Sequence, residues 1–509
     1  MAEGRIEELP LRSARFRMSL YADDAALFMN PKREEVTEVM HLLSTFGAAS
    51  GLITNMTKSA VFPICCDNVD IAAVMTEFEC PIKSFPCTYL GLPLHTRQLR
   101  RVDIQPLIDK VAARLPSWKG RFLNRAGRLT LVNSVLSSIP TYFLTVFPLQ
   151  KWAIKQVDKI RRSFLWKGTP EANGGHCLVQ WSKVKRPKNL GGLGVLDLEM
   201  FSRALRLRWL WFQWTESDRP WVGGAIPVNE VDKQLFRACT RVQLGNGNTA
   251  QFWESCWLDG RAPRDIAPLL YRLAWRKNLK VSDQLVNQCW TRGLWRMSTV
   301  EEMAQFVLLW DLVHGVVLNG EEDRIIWKFT ADGLYTAKSA YEIQFRGSYC
   351  SFKPGYLWSA YAEPKHRFFS WLLVQEKILT ADKLQARNWP CNPMCLLCKI
   401  APESASHICL QCPYAQHVWD LVQSWSHDLV RKPDANSTIE DWWTDSLQSM
   451  PKEQRRTKAA ILIYTVWNLW NERNRRTFQG KEAEPLMVLQ LIKEEIGLRL
   501  RACGKPCVP

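Results

Sequence analysis

No stretch of this 509-residue sequence is long and apolar enough to cross a bilayer. The most apolar late run, AAILIYTVWNLW (459–470), has twelve residues, well short of the roughly 20 that a spanning helix needs. It reads as a buried helix, and no membrane partner is expected. The opening segment MAEGRIEELPLRSARF contains acids and no apolar core, which argues against a secretory signal. Internal repeats and long low-complexity segments are lacking too, which excludes a solenoid. The 16 cysteines are scattered over a long chain, unlike a secreted disulfide framework, and most read as reduced core thiols. Acids are in deficit. With 50 Asp and Glu against 67 Lys and Arg, the net charge is +17, which calls for a polyanionic partner, nucleic acid before a membrane surface.

What is abundant is tryptophan, 24 residues, and many of these must be packing in cores or between helices. The hydrophobic share of 47% predicts a folded chain of several domains.

SLYADDAALF (19–28) reads as strand, turn, strand, with Asp23 and Asp24 adjacent at the tip. A helix is predicted over Glu34–Ala49, with Val36, Val39, Met40, Leu43 and Phe46 on one face and Gly51 ending it. KSAVFPI (58–64) reads as a further strand, and CTYLGLPL (87–94) as a strand with a tight turn. From Arg97 to about Gly168 the pattern is helical and basic. Nine Lys and Arg stand against two acids between Arg97 and Arg128, and six against Asp158 alone between Lys151 and Lys167. Such helices pack on one face and offer charge on the other. Trp118, Trp152 and Trp166 lie among those bases, as core residues or as stacking platforms for nucleobases.

KVKRPKNLGGLGV, from Lys183, is a basic glycine-rich turn rather than a phosphate loop, because no Lys-Ser/Thr pair follows its glycines. Trp-rich helices are expected at 203–215, and GNGNTAQFW (245–253) as a hairpin turn running into a strand. From Asp323 come alternating apolar residues, an ADG turn and a helix. The segments divide as 1–96, 97–182, 183–320, 321–430 and 431–509.

CLLCKIAPESASHICLQC (395–412) spaces Cys395 and Cys398 two residues apart, then supplies His407 and Cys412. Thiolates and imidazole in that number suit tetrahedral Zn²⁺. Cys409 competes with His407, because Cys409 and Cys412 are themselves a C-x2-C pair. The spacing leaves both sets open.

YADD with apolar flanks resembles the metal-binding turn of reverse transcriptases. GLITNMTKS (51–59), YLGLPL (89–94), WKGRFLNRAGRLTLVNSVLSSIPTYFL (118–144), FLWKG (164–168), GGLGVLDLEMFSRALRLRWLW and GNGNTAQFWESCWLDG are similar, in order, to plant LINE-type (non-LTR) retrotransposon reverse transcriptases. The region from Asp323 resembles their zinc-binding domain. The resemblance implies a mainly α fold with small β elements: a palm hairpin, a helical thumb, and a small zinc-binding module with a helical tail. It implies an RNA-directed DNA polymerase in which Asp23 and Asp24 hold Mg²⁺, Lys58 acts on the departing pyrophosphate and Tyr21 sits by the incoming substrate. The hairpin with Tyr89 and Gly91 would grip the primer end, and Arg121, Arg125 and Arg128 would meet an RNA or RNA–DNA template–primer. For zinc it favours His407 over Cys409. A nuclear or cytoplasmic ribonucleoprotein is implied.

The family also uses a third metal-binding Asp on an upstream palm strand. The residues before Tyr21 hold Glu3, Glu7 and Glu8 in a polar segment, so the expectation is a truncated chain that binds without polymerising, its opening hairpin poorly anchored. Neither the family's endonuclease nor a ribonuclease H-like segment is read here. Two other outcomes stay open: polymerisation once the missing palm is supplied, and a zinc-dependent adaptor or relic that no longer uses Asp23 and Asp24.

Overall fold

The computed structural model describes residues 17–114, 120, 122–169, 171, 176–219 and 221–504. Arg121 and Trp118, both singled out above, lie outside them. The fold is mainly helical. Among the described residues its six short strands make three antiparallel pairs, and the chain divides into two compact units.

The first unit comprises residues up to Leu107, Phe143–Leu149 and Ser202–Ile343. It begins with the expected hairpin. β1 (Met18–Tyr21) pairs with β2 (Asp24–Leu27), Tyr21 opposite Asp24, across a two-residue loop in which Ala22 has φ 52. That positive φ is what a tight hairpin turn of this hand demands. The helix Arg33–Ser50 follows, closed by Gly51 in the left-handed region, a common helix stop. Val36 and Val39 are buried on its inner face, whereas Phe46 is exposed.

KSAVFPI does not form a strand. Val61 makes a single parallel bridge to Ile82, and Pro63, lacking an N–H, cannot extend a ladder. CTYLGLPL is the second hairpin, β3 (Cys87–Tyr89) with β4 (Leu92–Leu94), turning at Leu90 and Gly91, both at positive φ.

Tryptophan builds the rest of this unit. Phe252, Trp253, Trp257 and Trp290 share a buried cluster with Leu309 and Val313, and Trp211, Phe236 and Trp327 share another. Replacing one such ring by alanine typically costs about 3–5 kcal/mol. β5 (Thr240–Gln243) pairs with β6 (Arg324–Trp327) between these clusters.

GNGNTAQFW is not a hairpin. The stretch wraps the Asp323 carboxylate, which accepts hydrogen bonds from the backbone N–H groups of Gly245, Gly247, Thr249 and Ala250 at 2.8–3.0 Å. Burial pushes the Asp323 pKa up, but those four donors outweigh it and hold the carboxyl below its ordinary value.

The second unit comprises Ile108–Tyr142, Gln150–Phe201 and residues from Gln344 onward. Its centre is the helix Lys452–Gln479, in which Ala459 through Val466 are all buried. A helix apolar all round belongs inside a bundle. Pro364–Val374, Pro413–Trp425 and Pro485–Cys503 pack against it. Each begins with Pro at its first position, where the missing N–H costs nothing. Trp371, Trp419 and Trp443 are fully buried here. The glycine-rich stretch after Lys183 is a packed turn: Gly192 N–H donates to Pro187 O, Gly194 N–H to Arg186 O, and Trp371 Nε1 to Gly191 O at 2.8 Å.

Candidate metal centre and nucleic-acid surface

The zinc quartet assembles from two local turns and a helix start. CLLCK forms the first turn: Lys399 N–H donates to Cys395 O at 2.7 Å, with Lys399 at φ 61, so the chain doubles back and the Cys395 and Cys398 thiols point the same way. A tight five-residue turn, His407–Gln411, sets the second pair, with Cys412 N–H donating to His407 O at 2.8 Å. Pro413 then starts a helix directly after Cys412.

The ligand atoms of Cys395, Cys398, His407 and Cys412 all lie within 4.8 Å of one another. Tetrahedral zinc, with Zn–S of about 2.3 Å and Zn–N of about 2.0–2.1 Å, needs ligand atoms roughly 3.5–3.8 Å apart. The Cys395–Cys412 sulfurs are 4.0 Å apart and Cys398 Sγ is 3.3 Å from His407 Nε2, which brackets that value. The residues fit the metal.

The close contacts shift three of these groups in opposite directions. The hydrogen bond from Cys412 and the one from His407 push the Cys395 thiol down to about 4 against its burial, while the same contact with Cys395 pushes Cys412 up. Contact with the Cys395 and Cys398 sulfurs raises the His407 imidazole. Cys409 stands apart from the quartet. It is fully buried, burial pushes its thiol up, and its carbonyl accepts from Trp419 Nε1 at 2.8 Å. Cys391 is likewise not among the grouped ligands.

The bracing of this loop was not legible in the sequence. Arg476, on the central helix, donates through Nη1 to the carbonyls of Leu396 and Leu397 at 3.2 and 3.1 Å, inside the Cys395–Cys398 turn. Glu472 holds Arg476 Nε at 2.8 Å. Outer partners of this kind fix ligand orientation at metal sites.

Residues 335–419 match a family described as zinc-binding in reverse transcriptase, and all four ligands fall inside the match. The chain carries a reverse transcriptase zinc-binding domain. It is also similar to a protein of Arabidopsis thaliana named as a ribonuclease H protein, with 26% identity over 362 residues. That similarity covers 64% of this chain and 57% of the relative's length.

Outside the zinc-binding domain the expected site residues are placed unevenly. Asp23 and Asp24 are both exposed at the hairpin tip, and among the described residues no third carboxylate, His or Cys groups with them. The hairpin has no further strand beside it there. It is tied at its base, where Arg17 Nη1 and Asn30 Nδ2 donate to Glu35 at 3.0 and 2.8 Å, and Ser19 Oγ lies 3.2 Å from Tyr89 Oη. Tyr21 is 65% exposed. Lys58 is exposed in a short turn, its own backbone N–H capped by the Asn55 side chain. Gly91 serves the hairpin turn.

Arg128 is half-buried and anchored within the fold. Its guanidinium donates to Gly120 O at 2.9 Å and Trp166 O at 3.4 Å. Arg125 is half-buried beside it, and burial followed by the Arg128 charge lowers its pKa. Trp166 is 5% exposed and meets Phe368 edge-on, so it is core. Trp152 is half-buried, its Nε1 donating to Gln150 Oε1. Free cations lie elsewhere, on the helix Lys151–Lys167. Lys151, Lys155, Lys159 and Arg162 are exposed at spacings of one helical turn, while Ala153, Ile154, Val157, Phe164 and Leu165 are buried behind them. Asp158 is taken up by Arg161 and by Lys185 at 3.5 Å. Among the described residues no helix is long and apolar enough to cross a membrane.

Proposed function

We propose that this chain is a nucleic-acid-binding part of a LINE-type reverse transcriptase: palm hairpins, a basic helical thumb and a zinc-binding domain that grip an RNA or RNA–DNA template–primer. The observation that carries the reading is the stripe of Lys151, Lys155, Lys159 and Arg162. The eleven residue-to-residue rises from Lys151 to Arg162, at about 1.5 Å each, make it about 16 Å long, the span of several phosphates at about 3.4 Å per charge on one strand. With Asp158 neutralised from within the fold, the stripe is a line of positive charge with an apolar back. Contacts of this kind position the backbone and carry no sequence information.

Asp23 and Asp24 support a link to polymerase chemistry, since two-metal nucleotidyl transfer needs carboxylates that bridge ions about 3.5–4 Å apart. Two exposed carboxylates do not enclose such a pair of ions. The reading is therefore binding without polymerisation by these residues alone, with extension restored when a third carboxylate is brought to the hairpin.

The test is equilibrium binding of a labelled RNA–DNA template–primer over a range of salt. Lys155→Gln/Arg162→Gln should weaken binding at every salt concentration and flatten the salt dependence. Binding and slope equal to wild type would overturn the assignment of the stripe.

A further inference from the structure

A second set of cations, in the first unit, has no part in the reading above. Strand residues alternate between faces. On the β5–β6 ribbon, Thr240, Val242 and Trp327 are buried, so the opposite face carries Arg241 and Gln243 across from Ile326 and Arg324. That face floors an open cleft of ≈ 1240 Å³ walled by the turns at Asp259–Gly260 and Thr330–Leu334. Arg241 and Arg324 are exposed, and among the described residues neither makes an ion pair.

Gly260 and Lys328 line both this cleft and a smaller cavity of ≈ 200 Å³ beside it. Arg237 lines the smaller cavity and is 6% exposed. Its Nη1 is held by Glu254 at 3.1 Å, whereas its Nε donates no hydrogen bond, the nearest carboxylate being Asp265 at 3.5 Å. A buried guanidinium with an unused donor is costly unless something polar meets it. Three cations, Arg241, Arg324 and Lys328, line the cleft against two acids, Asp259 and Asp332, of which Asp332 also accepts from Leu334 N–H, so the balance is positive.

We propose that this cleft binds one nucleic-acid strand through its phosphates, making a second contact surface in addition to the helix stripe. The inference rests on the reading of the chain as a nucleic-acid binder. A strand is favoured over a lone phosphate by the spread of the cations. Arg241 and Arg324 are offset by two residues, about 7 Å along the ribbon, which is on the scale of one nucleotide of an extended strand. Alternating Arg and Gln side chains above a pleated floor also suit phosphate and base-edge contacts better than apolar side chains. Gly260, at φ 72, lines both cavities and adds no side chain to either.

The experiment uses the full zinc-loaded chain and a labelled short oligouridylate, read by fluorescence anisotropy across salt concentrations. Three proteins are compared: wild type, Arg241→Gln/Arg324→Gln, and Lys155→Gln/Arg162→Gln. The cleft variant should lower the salt slope by about 1.4, from two lost contacts at about 0.7 each, and weaken binding several-fold with an unchanged melting temperature. A wild-type slope in the cleft variant, with binding lost only in the stripe variant, overturns the cleft alone. Failure of the wild type to bind overturns both readings. Polyglutamate binding that depends on Arg241 and Arg324, with oligouridylate binding that does not, makes the cleft a peptide site and overturns the proposal. Ultraviolet cross-linking of the wild type needs no variant to fold. Cross-links in peptides spanning 240–260 or 324–334 are expected, and their absence beside strong cross-links elsewhere would contradict it.

Discussion

Arg473 closes on Glu403 with two nitrogens, Nε at 3.0 Å and Nη2 at 2.7 Å from the carboxylate oxygens, and both side chains are buried. Glu403 lies on the loop between Cys398 and His407, and its Oε1 also accepts from Ala381 N–H at 2.8 Å. One ion pair thus ties the zinc loop to the central helix and to the segment before it. Removing one partner of such a pair leaves a buried charge and costs about 3–5 kcal/mol, whereas replacing both by apolar groups is often close to neutral. Arg473→Ala should therefore lower the denaturation midpoint sharply, and Glu403→Met/Arg473→Met should recover most of the loss. Equal destabilisation in the single and double variants would show that the pair matters for shape and not charge.

The zinc-binding domain should hold one zinc per chain. Cys398→Ser should release it, and Cys409→Ser should not, because the Cys409 thiol is buried outside the quartet. Metal analysis of the dialysed proteins decides this. Arg476→Ala, which frees the Leu396 and Leu397 carbonyls, should weaken zinc binding by about 10–100-fold in competition with a chelator, as loss of an outer partner does elsewhere.

Asp323 makes a pH prediction with a definite sign. Its folded pKa lies below the ordinary value of about 3.9, so its contribution is complete above that value and is lost as pH falls through the folded pKa. Asp323→Asn should destabilise the chain at neutral pH by about 1–3 kcal/mol, towards the lower end because the partly exposed carboxylate is screened by solvent. The difference from wild type should shrink in acid, which urea melts at several pH values would show. A pH-independent difference would contradict the account.

Gly120 and Gly168 should resist substitution. A Cβ on Gly120 would stand 2.0 Å from Gly168 O, and one on Gly168, at φ +84, would stand 2.7 Å from Gly120 O. Either alanine variant should lose about 1–3 kcal/mol in thermal melts. Gly355→Ala, which meets nothing within 4 Å, serves as the control and should be neutral.

Much of this was legible in the sequence, for reasons that are local. The hairpins at 18–27 and 87–94 follow from short apolar runs around a tight turn. The helix Arg33–Ser50 follows from its period and from Gly51, and the buried core of Lys452–Gln479 from its apolar run. The quartet was legible because its ligands lie within 18 residues of one another; the spacing left Cys409 open, the resemblance favoured His407, and the grouped ligand atoms agree with it. The failures are long-range. GNGNTA looks like a turn between strands until Asp323, more than 70 residues later, takes its N–H groups. The anchoring of Arg128 by Gly120 O and, across 38 residues, by Trp166 O is likewise unannounced by its local pattern. Glu403 and Arg473 are 70 residues apart, and nothing in the local pattern around either announces the other.

Primer extension by the zinc-loaded chain on an RNA template with Mg²⁺, beside Asp23→Ala/Asp24→Ala, separates binding from polymerisation. Template–primer should be bound, released by salt and not extended, with the double variant indistinguishable from wild type. Extension by the wild type that disappears in the double variant would contradict this, and would make the Tyr21–Asp24 turn a working metal site.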